Sequence, residues 1–470
     1  MLSLLSDLLW SKVLIALLIG LGIWFTVSSR FVQFRYFGAM FGILTDKHHS
    51  DDERHLSSFQ ALVLSVAGRV GGGNIAGVAV AITLGGPGAI FWMWVVGLMG
   101  MATSFFECTL AQTYKRCEDD GSYRGGPAYY IEKGLGKNWK WLAVIYSVLL
   151  LATFGIAFTT LQSYSVATSL EDAFGIPLYF SGIGLALIVG LIIFGGVKRI
   201  AQVAEVLVPV MAGGYLLIAL FVLATNFTAV PDMLVLIVKS AFGLEPAIGG
   251  GIGAAILMGV KRGLFSNEAG LGSAPNVAAV AHVPHPANQG VVQSFSVFVD
   301  TILLCTCTAL IILLGSAYDP SIQEGVQGVA LTQASLATHM GEWGRTFVSI
   351  ALLLFGFSTI LYNYYLGENS VSYLTHSGNH GFLMNGFRVV IICLCCLGAV
   401  LDLGTVFAFA DLTMGLLALV NLIALGLLFK TAKRIMVDYD KQRKNSKQAP
   451  EFNAADFSDL DIDPEAWPKK

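Results

Sequence analysis

Two short stretches of this 470-residue chain carry the same residue types at matching offsets. They are RVGGGNIAG at residues 69–77 and RGLFSNEAG at residues 262–270, each inside an otherwise apolar run. A glycine inside a helix costs about 1 kcal/mol relative to alanine, so both stretches predict an interrupted helix. Freed N–H groups at such a break attract an anion, and freed carbonyl groups coordinate a small cation. An amino acid with a free carboxylate, moving together with Na⁺, would suit both.

The two stretches lie in a chain whose composition is typical of a membrane protein. Of its residues, 55% are apolar and only 13% are charged, whereas an average soluble domain is about a quarter charged. Its apolar runs are long enough to cross a bilayer as helices and too long for the strands of a membrane barrel. We predict an all-α membrane protein with about 11 transmembrane helices. They lie at residues 8–27, 59–84, 89–114, 141–170, 178–194, 201–225, 247–280, 291–315, 346–366, 381–401 and 403–429.

The repeated pattern falls in the second and the seventh of these helices. Because five crossings separate the two copies, they run in opposite directions through the bilayer and form an inverted repeat. Unwound backbone at membrane depth is tolerated only where it is buried in protein or lines a cavity. Glycines also serve close helix packing in membranes. Paired interruptions in corresponding positions of two halves nevertheless favour the binding site of a transporter.

Basic residues predict the orientation of the chain. Nine Lys and Arg lie in residues 430–470 and six in residues 115–140, and both segments are inside if the N-terminus is outside and the C-terminus is cytoplasmic. The predicted organisation is an extra first helix with an inner loop, two five-helix repeats of which the second is inverted, and a cytoplasmic tail. Their bounds are residues 1–58, 59–225, 226–429 and 430–470. Few apolar residues follow Lys441, so we expect the tail to be disordered or loosely attached.

Three longer motifs resemble a known family. They are RVGGGNIAGVAVAITLGGPGAIFWMW from Arg69, YRGGPAYY from Tyr123 and GLFSNEAGLGSAPNVAA from Gly263. Nearly the whole chain resembles the alanine or glycine:cation symporters, also called sodium:alanine symporters, of the amino acid-polyamine-organocation superfamily. The resemblance implies a leucine-transporter-like five-plus-five bundle preceded by one extra helix. It also implies Na⁺-coupled uptake of small neutral amino acids across a bacterial cytoplasmic (inner) membrane.

By the same resemblance, the two breaks hold the substrate. Gly71, Gly73 and Asn74 at the first break would meet its carboxylate or amino group. Phe265 and Ser266 at the second break would also bind the substrate, with the ring of Phe265 forming a wall of the pocket. The alternative for Phe265 is a core or lipid-facing position.

The resemblance also implies a site for Na⁺. Main-chain carbonyl groups of Ala67 and Val70 would face the ion. The hydroxyl groups of Ser358 and Thr359, in GFSTILYNYY, would complete the site. Hydroxyl and carbonyl oxygens suit a hard cation.

Two polar residues bear on the substrate. Gln162 lies on the fourth predicted helix, where it either contacts the substrate or makes a helix–helix hydrogen bond. Asn363 departs from the family, in which Trp is common near this position. An Asn there would enlarge the pocket and add hydrogen bonds, which leaves glutamine open as a substrate.

Charged and polar residues at the breaks suggest support or gating. We interpret Glu268, with Asn267, as structural support for the second break; the alternatives are a cation ligand or a proton carrier. Arg69 and Arg262 precede the two breaks on opposite sides of the site and suggest gating ion pairs. Their candidate carboxylates are Asp300, Glu107 and Asp411.

Other functions are poorly matched by the sequence. His282 and His285 lie in a Pro-rich inner loop without a third ligand nearby, so we expect Na⁺ as the only bound metal. The sequence shows neither a metalloprotease motif nor a charged ring suited to a channel, so we predict a carrier and not an enzyme. The alternatives within transport are broader neutral amino acid uptake and proton coupling. We expect no cofactor and no nucleic-acid partner, and one chain should be sufficient for transport in the bilayer.

Overall fold

The structure is a computed structural model that describes residues 6, 8–45, 55–119, 121–244, 251–318, 328–375, 380–401, 403–445 and 449–468. The helices of the first half are α1 (Leu9–Ser28), α2 (Val32–Arg35), α3 (Phe37–Thr45), α4 (Ser58–Arg69), α5 (Gly73–Gly85), α6 (Gly88–Thr113), α7 (Pro127–Gly134), α8 (Lys137–Phe174), α9 (Leu178–Ile193) and α10 (Gly196–Thr225). Those of the second half are α11 (Val230–Ala241), α12 (Gly251–Asn267), α13 (Ser273–Ala278), α14 (Pro286–Leu314), α15 (Val329–Met340), α16 (Glu342–Leu374), α17 (His380–Gly398) and α18 (Leu403–Asn445). A hairpin of β1 (Arg116–Cys117) and β2 (Tyr123–Arg124) precedes α7, and a 3₁₀ turn at Ala454–Phe457 lies in the tail.

The long helices confirm the predicted all-α membrane fold. In the described part of the chain, eight helices are long and apolar enough to cross a membrane, and the bent pair α4–α5 makes a ninth. The apolar helix α9 is shorter, with 16 residues. Each of the predicted segments coincides with a helix or with an interrupted pair of helices.

The first predicted interruption is present between α4 and α5. Helix α4 begins with a capping box in which Ser57 and Gln60 exchange side-chain and backbone hydrogen bonds. It ends at Arg69, because Val70 adopts an extended conformation with φ −80° and ψ 97°. Helix α5 then starts at Gly73 with a wide π-helical turn, and its axis is bent by 49° from that of α4. The bend lies in the glycine-rich stretch.

The second interruption lies between α12 and α13. Three residues in it, Glu268, Gly270 and Gly272, have left-handed φ angles of 56°, 91° and 79°. This conformation costs glycine little, but it is uncommon for other residues and costs them of order 1 kcal/mol or more. Helix α13 then resumes at Ser273. The backbone of Glu268 is therefore strained, and contacts with neighbouring residues must stabilise its left-handed conformation.

The helices pack in two groups. One group contains both interrupted helices together with α6 and α14, and α6 packs against α12, α13 and α14. The other group contains α8, α9, α16 and α17, in which α8 packs against α16 and α17. Helix α4 meets α16 directly. The first break therefore lies where the two groups touch.

The tail corrects the expectation of a loosely attached segment. Helix α18 continues to Asn445, beyond the predicted end of its apolar run, and residues 449–468 fold back onto the bundle. The side chains of Phe452, Phe457 and Trp467 are buried. The indole Nε1 of Trp467 donates to the carbonyl of Gln112 at 2.9 Å. Aromatic residues spaced along a polar segment thus anchor it.

Candidate functional site

The first break brings together the four residues assigned to Na⁺. The hydroxyl of Thr359 donates to the carbonyl oxygen of Ala67 at 3.0 Å and lies 3.4 Å from that of Val70. The hydroxyl of Ser358 lies 3.3 Å from the carbonyl oxygen of Ala67. All four residues are buried. Oxygens from two helices therefore converge at the contact between α4 and α16.

Glycine is required at the centre of this break. A β-carbon at Gly71 would lie 2.6 Å from Oγ1 of Thr359, and one at Gly73 would lie 3.2 Å from Cα of Ser266. Both distances are shorter than ordinary contacts, so a side chain at either position would push neighbouring groups away. The glycines thus let α5 approach both α16 and the second break.

Backbone N–H groups of the first break point at side-chain oxygens. The N–H of Gly71 donates to Oδ1 of Asn74 at 2.9 Å, and the N–H of Gly72 donates to Oε1 of Gln162 at 3.0 Å. Gln162, on α8, therefore makes a helix–helix hydrogen bond to the break. The same contact places its amide among the residues predicted to bind substrate.

The second break meets the first through Asn74 and Ser266. The amide Nδ2 of Asn74 donates to Oγ of Ser266 at 3.2 Å and to Oδ1 of Asp300 at 2.6 Å. The hydroxyls of Ser266 and Thr301 both donate to Oδ2 of Asp300, at 2.9 and 2.7 Å. Among the described residues, no Lys or Arg forms an ion pair with this buried carboxylate. Sequence reasoning considered Asp300 only as a gate partner, and its burial at the centre of this network is new.

An aromatic wall adjoins the two breaks. The ring of Phe265 packs against Gly73 and Gly77. A β-carbon added at either glycine would lie 3.4 or 3.5 Å, respectively, from a ring carbon of Phe265. Its ring centroid is 5.0 Å from that of Phe158 and 6.4 Å from that of Phe407. Phe265 therefore faces the break, as predicted for a wall residue, and is not exposed to lipid.

Asn363 is buried on α16, one turn after Thr359. Neither Oδ1 nor Nδ2 of its amide has a hydrogen-bond partner in the described part of the chain. A buried amide without partners is costly, since it gives up its hydrogen bonds to water. Within the residues that the structure describes, no hydrogen bond joins the Asn363 amide to the other predicted site residues.

Side-chain oxygens of two carboxylates and one amide stabilise the second break. Oε2 of Glu268 accepts from the hydroxyls of Ser273 at 2.6 Å and Tyr362 at 3.3 Å. Oδ1 of Asn267 accepts from the N–H of Ala269 at 3.0 Å. Oε1 of Glu107, from α6, accepts from the N–H of Gly270 at 3.3 Å. These contacts stabilise the left-handed turn and are consistent with structural support.

The two arginines behave differently. Nη2 of Arg262 donates to Oδ2 of Asp411 at 2.8 Å, so one of the three candidate carboxylates is its partner. Arg69 instead donates to the carbonyl of Gln293 at 3.2 Å, to Oγ of Ser104 at 3.3 Å and to Oγ of Ser296. Within the described residues Arg69 forms no ion pair with a carboxylate. Among the described residues, an ion pair to a candidate carboxylate is thus present at Arg262 and not at Arg69.

The two histidines of the inner loop have structural contacts. Nδ1 of His285 accepts from the N–H of Ala287 at 3.1 Å, which caps α14, and its Nε2 lies 3.2 Å from Asp438. Burial lowers the pKa of His285. The ring of His282 stacks on that of His55, with centroids 5.1 Å apart. The two rings therefore tie the loop to neighbouring segments.

A membrane bundle in which two interrupted helices meet at their breaks defines a secondary transporter. Residues 1–454 match the model of the sodium:alanine symporter family. The chain is 47% identical over 455 residues to the amino-acid carrier protein AlsT of Bacillus subtilis, covering 97% of this chain and 95% of that protein. It is 48% identical over 442 residues to the probable sodium/glutamine symporter GlnT of the same organism, covering 94% and 91%. This chain belongs to the sodium:alanine symporter family.

A solved structure supports the fold independently. The crystal structure of MhsT in complex with L-phenylalanine superimposes with a TM-score of 0.55 at 15% identity, covering 82% of this chain and 98% of that one. At this identity the likeness concerns the fold alone. The protein is a multi-pass membrane transporter and not an enzyme, and the resemblance read from its motifs is confirmed.

Proposed function

We propose that this protein is a Na⁺-coupled symporter that carries alanine or glycine into the cell by alternating access. The observation that carries the proposal is the convergence of the Ser358 and Thr359 hydroxyls on the carbonyls of Ala67 and Val70. These groups offer only oxygen, which a hard monovalent cation prefers. The ion would join α4 to α16, and so would join the two helix groups.

The substrate would lie at the start of α5. The N–H groups of Gly71 and Gly72 are engaged by side-chain oxygens of Asn74 and Gln162. The carboxylate of an amino acid could replace these oxygens as the acceptor, and the positive end of the α5 dipole would stabilise its charge. The Phe265 ring beside Gly73 would limit the size of the substrate.

Uptake into proteoliposomes tests the coupling. Labelled alanine should accumulate against its gradient when Na⁺ is directed inward, and competition by unlabelled alanine and glycine should be strong. Accumulation that is unchanged when choline replaces Na⁺ would reject Na⁺ coupling.

Glutamine is a second candidate substrate, and the unpartnered amide of Asn363 favours it. A longer polar side chain could supply the hydrogen bonds that this amide lacks. Competition by unlabelled glutamine in the same vesicles measures this directly. Glutamine would be established as a substrate if it competes strongly in the wild type and no longer competes in Asn363→Leu, while glycine competes in both.

Proton coupling through Glu268 is the alternative to Na⁺. Glu268 accepts two hydroxyl hydrogen bonds, and a Gln side chain keeps an oxygen for them. We therefore expect Glu268→Gln to retain Na⁺-driven accumulation of alanine. A variant that exchanges alanine but no longer accumulates it would favour proton transfer by Glu268.

The topology completes the proposal: the N-terminus lies outside and the C-terminus in the cytoplasm. Segments expected inside do meet one another, since Leu56 forms a bridge with Ala281 and Trp467 reaches Gln112. A reporter protein that is active only in the cytoplasm should be active when it is fused after the C-terminus. Activity of a periplasmic reporter at that position would reverse the orientation.

A further inference from the structure

Asp411 of α18 is shared by two cations of α12. Its Oδ2 lies 2.7 Å from Nζ of Lys261 and 2.8 Å from Nη2 of Arg262. The exposed side-chain fractions are 10% for Lys261, 4% for Arg262 and 8% for Asp411. In the described part of the chain no second carboxylate pairs with either cation. This buried cluster therefore contains one more positive than negative charge.

Arg262 in this cluster also has hydrogen-bond donors that are not used within the described part of the chain. Nε and Nη1 of Arg262 have no hydrogen-bond partner among the described residues. The guanidinium instead lies 5.2 Å from the ring centroid of Phe407 and 5.7 Å from that of Phe265, while Nζ of Lys261 lies 5.8 Å from the ring of Trp10. Ring faces attract cations but do not accept these hydrogen bonds as a carboxylate does. Uncompensated charge inside a membrane protein is costly and marks functional positions.

The cluster lies next to the proposed substrate site. The ring of Phe265 contacts Arg262 and also lies against the backbone of Gly73. Phe265 thus stands between the cations and the first break. By the proposed orientation, Lys261 and Arg262 are on the outer side of this ring.

The extra helix α1 closes the cluster. Nε1 of Trp10 donates to the carbonyl oxygen of Asp411 at 3.0 Å, and Trp10 is only 1% exposed although much of α1 is not covered by protein. Trp10 therefore fixes the backbone of Asp411 and provides the ring beside Lys261. This contact gives the cluster a wall that the two repeats alone do not supply.

We infer that Lys261 and Arg262 form an entry subsite for the carboxylate of the transported amino acid, outside the aromatic wall. The free edge of a guanidinium matches the two oxygens of a carboxylate better than a spherical anion. When the outer side opens, the incoming carboxylate competes with Asp411 for these cations and then passes Phe265 to the first break. The inference rests on the proposed function, because it presumes an amino acid substrate.

The test measures the rate of Na⁺-dependent binding of labelled alanine to the purified full chain. Lys261→Met removes the surplus charge and leaves the Arg262–Asp411 pair. It should slow association about tenfold, the lower end of the effect of electrostatic steering. An entry subsite changes association and dissociation equally, so the equilibrium Kd should stay within about twofold. A role in the final binding site would change the Kd instead.

Matched variants control for charge and folding. Lys12→Met removes an exposed lysine of α1 on the same predicted side and should bind alanine at the wild-type rate. Lys261→Arg keeps the charge and should restore most of the association rate. Equal association rates in wild type and Lys261→Met would overturn the subsite.

Two added anions identify the ligand. Propionate has the carboxylate but no amino group, so it should slow alanine association to the wild type. It should slow association to Lys261→Met much less, because only Arg262 of the subsite remains. If the same concentration of chloride slows association as much as propionate does, the assignment to a carboxylate is overturned. A wild type that shows no Na⁺-dependent alanine binding would contradict the proposed function, and this failure is distinct from that of the subsite.

Discussion

At the first break, Gly71 lies against the side chains of Thr359 and Gln162, at a distance that leaves no room for a β-carbon. The carbonyls of Ala67 and Val70 meet hydroxyls of α16 at the same break. The small size of Gly71 thus permits two things: the backbone of the break approaches α16 closely, and carbonyl and hydroxyl oxygens meet there. The chemistry of the site depends on keeping that residue small.

We predict that Gly71→Ala abolishes Na⁺-driven alanine uptake while the protein still inserts and folds. Its β-carbon would lie 2.6 Å from Oγ1 of Thr359 and must displace that hydroxyl from the carbonyl groups. Uptake and thermal stability are measured on the same preparation. Gly253→Ala is the matched control, because a β-carbon there meets nothing within 4 Å; equal uptake by the two variants would contradict the proposed geometry.

The elements outside the repeats have specific contacts. Helix α1 reaches Asp411 through Trp10, and the tail reaches α6 and β1 through Trp467 and Asp463. Lys115, just after α6, is buried by these contacts. Its Nζ donates to the carbonyl of Ala281 at 3.2 Å and lies 4.6 Å from the ring centroid of Trp467. The tail therefore covers an amine that would otherwise be hydrated.

Burial lowers the pKa of Lys115 from 10.5 to about 7. The folded protein therefore binds fewer protons at this residue than the unfolded chain does between about pH 7 and pH 10.5, and its stability rises with pH across that interval. The groups around the amine are the rings of Tyr123 and Trp467, the carbonyl of Ala281 and the thiol of Cys117.

We expect the thermal unfolding midpoint of the wild type to rise between pH 7 and pH 9 by more than that of Lys115→Met. The variant keeps most of the side-chain volume but has no amine to titrate, so the difference between the two curves isolates Lys115. Parallel curves would show that the amine does not titrate in this interval.

At the scale of the whole molecule, the proposed ion site spans the two helix groups. Ala67 and Val70 belong to the group of interrupted helices, whereas Ser358 and Thr359 belong to the other. A bound cation would favour one relative arrangement of the groups, because it is fully coordinated only when they touch. Such differential binding is what a population shift requires.

Both breaks, the long helices and the fold class could be predicted from the sequence, because glycine placement and apolar length are local signals. The partner of Arg262 could not, since three carboxylates were equally compatible with its position. The contact from Trp10 to Asp411 joins residues 401 positions apart and leaves no periodic pattern. The tail was misjudged because its few aromatic residues lack helical spacing, although their presence in a polar segment was a usable signal.

The most direct measurement of the central claim is equilibrium binding of radioactive ²²Na⁺ to the purified protein. The wild type should bind Na⁺ saturably, and the double variant Ser358→Ala, Thr359→Val should lose that binding because only the carbonyls of Ala67 and Val70 remain. Thr168→Val removes a hydroxyl whose hydrogen bonds, among the described residues, stay within α8, and this variant should bind Na⁺ as the wild type does. Undiminished Na⁺ affinity in the double variant would contradict the assignment of the ion to the first break.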